Sequence, residues 1–215
     1  MRLVVEWRLA DPGLVGGDLA ELLGLPRPDL DAEALAIPLV GGVVRLVRSP
    51  AGHAERLTVA VDRSVGGPGP VAAEVARLRL LGVGWATVEL DRGTRALEAE
   101  LGLPPGAFAP AADDGWLGAR CHVARLGGGG ASPSAILLEP STEGRLAAAL
   151  ARHGEGPVAL WLLRPGVATA AVRPGPLGPA RLIHGPAPWG PFVLLASDGP
   201  AAPVSGPSGA GTIAR

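Results

Sequence analysis

Residues 134–163 read SAILLEPSTEGRLAAALARHGEGPVALWLL, and this stretch decides the fold. Ser134 to Leu138 is a short apolar run closed by a carboxylate, Glu139. Pro140 and Ser141 then open an amphipathic segment whose leucines recur at helical spacing. Gly154-Glu155-Gly156 breaks it, and Val158 to Leu163 is a second apolar run of strand length. The stretch predicts strand, helix, turn, strand, which is a unit of an α+β domain.

Working outward, part of the pattern recurs. Leu97-Glu-Ala-Glu-Leu-Gly-Leu-Pro104 repeats Leu19-Ala-Glu-Leu-Leu-Gly-Leu-Pro26, and the same offset separates Trp85 from Trp7 without a gap. Each copy predicts a strand (Leu3 to Leu9; Gly84 to Leu90) and a short helix with a leucine stripe. Gly24 or Gly102 ends that helix in a left-handed conformation. Two apolar segments joined by a glycine turn follow in each copy: Ala34 to Leu39 with Val43 to Val47, and Ala119 to Leu126 with Ala135 to Leu138. A further strand closes each unit, Leu57 to Val61 and Val158 to Leu163. Duplication is the better reading; a chance recurrence of a leucine-rich helix is the alternative.

The expected organisation is a divergent βαβββ-like module over residues 1–62 and a connector over 63–82, in which Val71 to Leu81 is helical. The better-formed module spans 83–163, a degenerate strand-rich unit 164–196, and a disordered tail 197–215. In the degenerate unit the apolar pieces are Ala168 to Val172, Ala180 to Ile183 and Phe192 to Ala196. The tail has too few large apolar residues to offset the entropy of ordering.

Composition narrows the function classes. The chain has 215 residues, 47% of them hydrophobic, with mean hydropathy +0.31, enough for a sizeable core. Its 33 Gly and 23 Pro accompany many Leu, Val and Ala, which favours strands joined by glycine-rich turns over disorder. Every basic residue is Arg, and Lys, Asn, Gln and Tyr are absent, a skew typical of a GC-rich bacterial genome. Net charge is −1 and only 3% of residues are aromatic, so neither a basic face nor stacking rings invite nucleic acid. No apolar run reaches the ~20 residues of a membrane span. Glu6 and Asp11 interrupt the N-terminal region where a signal peptide needs an apolar core. The lone Cys121 rules out an internal disulfide and suits a reducing compartment. These features predict a cytoplasmic protein with a small-molecule partner.

The repeated strand-helix-strands order, with LLEPSTEGRL and HGEGPVALWL at the join, resembles the vicinal oxygen chelate superfamily. That superfamily includes glyoxalase I, methylmalonyl-CoA epimerase, extradiol dioxygenases and glyoxalase-like antibiotic-resistance proteins. The resemblance is best over Val83 to Leu163, weaker over residues 1–62 and poor beyond. It implies βαβββ modules pairing, within one chain or across a homodimer, so that a curled antiparallel or mixed sheet surrounds a cavity. In catalytic members that cavity holds a divalent metal (Mn, Fe, Zn or Mg) that polarises a substrate oxygen. Carried over residue by residue, the pattern keeps only Glu139. The first-strand His position falls at Gly84 or Trp85, and the His after Gly-Glu-Gly falls at Val158 or Ala159. The last-strand Glu position falls within Phe192 to Ala196, and the partner of Glu139 in the first module is approximately Arg48. A lone carboxylate grips a divalent ion weakly.

Each candidate therefore has two readings. Glu139 is a retained ligand or general base, or, as the bland reading, a carboxylate at the start of the following helix with Ser141 as its cap. His122 shares one face of its strand with Arg120 and Ala124. It is a substitute ligand or acid/base, or an ordinary surface histidine. His184, before a Gly-Pro loop, lies near the expected cavity mouth. His153 suits the last turn of a helix, and His53 lies in a glycine turn. Cys121 reads as a small apolar core residue, and Gly127 to Gly130 as a hairpin turn and not a phosphate loop. With five Trp against two Phe, tryptophan supplies most of the aromatic surface. Trp85 and Trp161 lie on the strands that hold the ligands in the family, where their rings would make a stacking pocket, with Arg48 and His184 at its margin.

The leading expectation is a glyoxalase-like protein that binds a small aromatic or acyl metabolite without a metal or other cofactor. The alternative is a lyase, epimerase or dioxygenase with a rearranged metal site that includes Glu139.

Overall fold

The computed structural model describes residues 2–23, 33–50, 55–62, 78–128, 132–141, 143–166, 171–184 and 190–196, with Leu14, Leu22, Leu23 and His184 described by backbone alone. The chain forms an α+β structure with two sheets. The first is built from β1 (Arg2–Leu9), β2 (Ala34–Leu39), β3 (Gly42–Arg48) and β4 (Arg56–Asp62), in the order β2-β3-β1-β4, with α1 (Pro12–Leu23) after β1. β1 runs parallel to β3, pairing Trp7 with Leu46 and Leu9 with Arg48, and antiparallel to β4. The hairpin between β2 and β3 turns at Gly41, whose φ of 96° no β-branched residue would adopt.

The second sheet contains β5 (Arg79–Ala86), β6 (Ala109–Asp114), β7 (Ala119–Arg125), β8 (Ser134–Pro140), β9 (Gly156–Leu163), β10 (Ala180–His184) and β11 (Phe192–Ala196). Its order is β10-β11-β9-β5-β8-β7-β6. Two helices belong to it, α2 (Leu90–Leu101) and α3 (Arg145–His153). β5 is parallel to β8 and antiparallel to β9, and β7 is antiparallel to β8. The segment β7-β8-β5-β9 thus repeats, strand for strand and direction for direction, the order β2-β3-β1-β4 of the first sheet. The repeat seen in the sequence is a repeat of topology.

Two apolar cores follow. One lies between the facing sides of the two sheets and includes Trp7, Leu46, Leu80, Trp85, Leu137 and Leu160, with α1 and α2 contributing Leu19 and Leu97. The other covers the opposite side of the second sheet, with Cys121, Ile136, Leu138, Trp161, Phe192 and Leu194 packed under Leu146 of α3. Alternation along each strand sends one set of side chains to each core. No helix among the described residues is long and apolar enough to cross a membrane.

Three expectations need correction. Arg79 to Leu81 belong to β5 and not to a helix, because Arg79 and Leu80 pair with Leu163 and Leu162 of β9 and Leu81 lies in the bulge before Gly82; residues 71–77 of the expected helix lie outside the described residues. The strand expected over Gly84 to Leu90 stops at Ala86, and Leu90 already opens α2. Strand β6 has the sequence APAADD, poor in β-formers, and forms because β7 offers it an edge. Of the expected Ala168 to Val172 piece, 168–170 lie outside the described residues and Ala171 and Val172 are not in a strand. The end of α2 behaves as expected, with Gly102 left-handed at φ 65°. The expected tail from 197, together with Gly24, His53 and Trp189, lies outside the described residues.

Candidate functional site

The N-terminus of α2 is held from two sides by carboxylates that reach it from other elements. Helix starts leave backbone N–H groups without intrahelical partners, and the N-cap Glu89 makes no side-chain cap bond of its own. Glu139, at the end of β8, supplies one partner: its Oε2 accepts the Leu90 N–H at 2.8 Å. Its Oε1 pairs with Arg120, the residue opposite it in the β7–β8 register. Glu155, in the turn between α3 and β9, braces the segment just before the helix and its first turn. Its Oε1 accepts the Val88 N–H at 2.8 Å, the Thr87 hydroxyl at 2.7 Å and Arg92 Nη2 at 2.6 Å. The Val88 N–H first, then the Thr87 hydroxyl and Arg92, hold the Glu155 carboxyl below the usual range.

This corrects the expected local role of Glu139. It caps α2, far away in sequence, and not the helix that follows it. That following helix, α3, begins behind Gly144 without a side-chain cap, and the Ser141 hydroxyl donates instead to the carbonyl of Gly118 at 3.0 Å.

Between α2 and the ends of β5 and β9 lies a pocket of about 170 Å³. Trp85, Leu97 and Leu137 give it apolar walls, and Thr87, Glu100 and the Arg92-paired Glu155 give it a polar rim. Gly93 lets the helix approach closely, since a Cβ there would stand 2.8 Å from Thr87 Oγ1. Glu155 and Gly156 also form one wall of a smaller cleft of about 30 Å³, reached from β4, that contains Glu55 and His153. Burial raises the Glu55 carboxyl, partly offset by a bond from Trp7, while burial, Arg152 and Arg56 together lower the His153 ring. His153 does lie in the last turn of α3.

The sheet sorts the other residues singled out in the sequence. Trp85, 6% exposed, lies on the α2 side, whereas Trp161, 0% exposed, lies on the other side. One pocket cannot contain both rings. His122 is half-buried on the α2 side, opposite Leu137 in register, so that Arg120 and not His122 faces Glu139. Arg48 lies on the first sheet beside Leu9, bonded through Nη1 to the Ala10 carbonyl at 3.2 Å and paired with Glu33 at 3.4 Å. Its place next to the end of β1 corresponds to that of Glu139 next to the end of β5. His184 ends β10 opposite Val193, and its side chain lies outside the described residues.

The donor set does not fit the divalent metal that the resemblance implies. Both oxygens of Glu139 are engaged by cationic or N–H donors, and an arginine occupies the equivalent place in the first sheet. Among the described residues no three His, Cys, Asp or Glu side chains converge to hold a metal.

Sequence reasoning missed Glu155, Thr87 and Glu100 as site residues. The Gly-Glu-Gly turn was visible, but that its glutamate would serve a helix 63 residues earlier in the chain, at Arg92, was not.

No family model matches the sequence, and no curated protein matches it. Among solved structures, similar folds include a Streptomyces coelicolor methylmalonyl-CoA epimerase variant in complex with 2-nitronate-propionyl-CoA, at 19% identity, covering 54% of this chain and 94% of that one, TM-score 0.44. Methylmalonyl-CoA epimerase from Mycobacterium tuberculosis gives 19% identity over 57% of this chain and 89% of that one, TM-score 0.45. A mutant 4-hydroxymandelate synthase from Streptomyces coelicolor gives 20% identity over 74% and 47%, TM-score 0.32.

Proposed function

We propose that this protein binds a small molecule without a metal, in the pocket beside Trp85. The observation that carries the reading is the pocket's make-up: an indole and aliphatic walls against a rim of acceptors. About 170 Å³ suits a compact ligand of roughly ten heavy atoms, below the usual range for drug-sized sites. Of the two expected ligand classes, an aromatic or neutral acyl body fits the walls. Glu100 at the rim favours an amine or other donor and disfavours a free carboxylate, while Glu155 is already paired with Arg92.

Tryptophan fluorescence is the test. Phenethylamine, phenylacetamide and phenylacetate are titrated against the wild type and Trp85→Leu. Saturable quenching in the order amine, amide, acid, lost in Trp85→Leu, is the expected result. No saturable response to any of the three, or a response unchanged by Trp85→Leu, sinks the proposal. A Mn²⁺ or Zn²⁺ titration run alongside tests the enzymatic alternative: stoichiometric metal that disappears in Glu139→Ala would favour it.

A further inference from the structure

Among the described residues the two sheets end on four outer strands, β2, β4, β6 and β10. An outer strand offers unpaired N–H and C=O groups to any chain that can line up with it, and prolines, bulges, charges and shortness are the usual defences. Three of the four carry such defences. β2 contains Pro38. β6 contains Pro110, a break in register between Ala111 and Asp114 and two aspartates at its end. β10 has five residues and a bulge between Leu182 and His184. β4 differs: its seven residues, Arg56-Leu-Thr-Val-Ala-Val-Asp62, pair with β1 in unbroken register and include no proline. Between its charged ends, Thr58, Val59 and Val61 are β-branched strand formers.

The chemistry of this strand reads the same in both directions. Set antiparallel to a copy of itself about Val59, Leu57 faces Val61, Thr58 faces Ala60 and Arg56 faces Asp62, each twice. Residues directly opposite in an antiparallel pair share a side of the sheet, so a two-fold axis through Val59 keeps both sides matched. On the inner side the second strand completes an unfinished core. Leu3, Val5, Trp7 and Leu9 of β1 are 0% exposed, whereas Val59 and Val61 are only half-buried against the same cluster. On the outer side Arg56, Thr58 and Ala60 are exposed, and the pairing brings each Arg56 to a carboxylate. A slip of two residues keeps the sides but loses both ion pairs, so the charges specify the register.

We propose that β4 is a self-association edge, to which a second copy of this chain adds its own β4 about a two-fold axis through Val59. The occupant is a second copy because the same sequence supplies an apolar or oppositely charged complement at each position. Arg56, with Glu55, also walls the small cleft that contains His153. Asp62 of the second copy therefore arrives beside that cleft, and each copy contributes a carboxylate to the other's margin. One strand edge is a small interface, so the dimer should dissociate on dilution.

Light scattering on the full-length protein, from micromolar to millimolar concentration, tests this. The mass should rise from 21.6 kDa toward twice that value. Arg56→Asp or Asp62→Arg alone places like charges opposite each other at both ends and should hold the protein monomeric. An equimolar mixture of the two variants should dimerise again, because each supplies the charge that the other needs. If either variant does not fold, cysteine linkage decides. Val59→Cys, on the axis, should form a disulfide-linked dimer under mild oxidation, and Val61→Cys, which faces Leu57, should not. Wild-type protein that stays monomeric at millimolar concentration overturns the proposal. So does a dimer indifferent to both charge reversals, a mixture that stays monomeric, or linkage through Val61→Cys as readily as through Val59→Cys.

Discussion

The carboxylate of Glu139 accepts the backbone N–H of Leu90 at 2.8 Å, across 49 residues of sequence. A residue that the family resemblance marks as a metal ligand works here as a tertiary helix cap. Its side chain is 15% exposed, dry enough for the bond to count. Caps of this kind contribute about 0.5–2 kcal/mol. Glu139→Ala should therefore lower unfolding stability by about that amount in urea titrations, and Glu139→Gln, which keeps an acceptor, should lose less. Equal losses in the two variants would show that the ion pair with Arg120 matters more than the cap.

Glu155 makes a prediction about pH. Its folded carboxyl titrates below the ordinary value of 4.5, so its contribution to stability is complete above that pH and fades as pH falls through the lower, folded value. Thermal midpoints measured from pH 6 down to about pH 3 should drop, and Glu155→Gln should flatten that part of the curve. The side chain is 38% exposed, so added salt should weaken the effect. An unchanged slope in Glu155→Gln would mean that another acid dominates.

Gly84 is held small by Trp161. An added methyl would stand 2.6 Å from the indole and 2.8 Å from Leu138 Cδ1, inside a packed core. Gly84→Ala should cost about 1–3 kcal/mol by overpacking, with the Trp161 environment visibly altered in near-ultraviolet circular dichroism. A variant as stable as wild type, with an unchanged spectrum, would show that the indole has room to shift.

Cys121 should be unreactive in the folded protein. It is 3% exposed, and burial, reinforced by Asp114, pushes its thiol up to about 12. Labelling by a thiol reagent at pH 8 should proceed at the rate of unfolding and accelerate in urea. Fast labelling without denaturant would contradict this placement.

Several features were legible in the residues because their causes are local. The leucine spacing of Leu97 and Leu101, with Gly102 behind them, specifies a helix and its left-handed end wherever the segment sits. Val158 to Leu163 and Phe192 to Ala196 are apolar at every position, as strands buried on both faces must be. The repeated Trp and Leu-Gly-Leu-Pro signals pointed to a doubled topology. By contrast, β6 carries weak strand formers and exists only because β7 has an edge to pair.

The chemistry of the carboxylates was not local. Sequence alone established that Glu139 ends a strand, that Glu155 sits between two glycines and that Trp85 and Trp161 each lie on a strand. Only the tertiary structure decided that both glutamates turn toward the start of α2. Only it separated the two indoles onto opposite sides of the sheet. The reason is physical: periodicity fixes which side chains share a face, but pairing register fixes which face meets which partner, and a single β-bulge such as that between Leu80 and Gly82 resets the alternation.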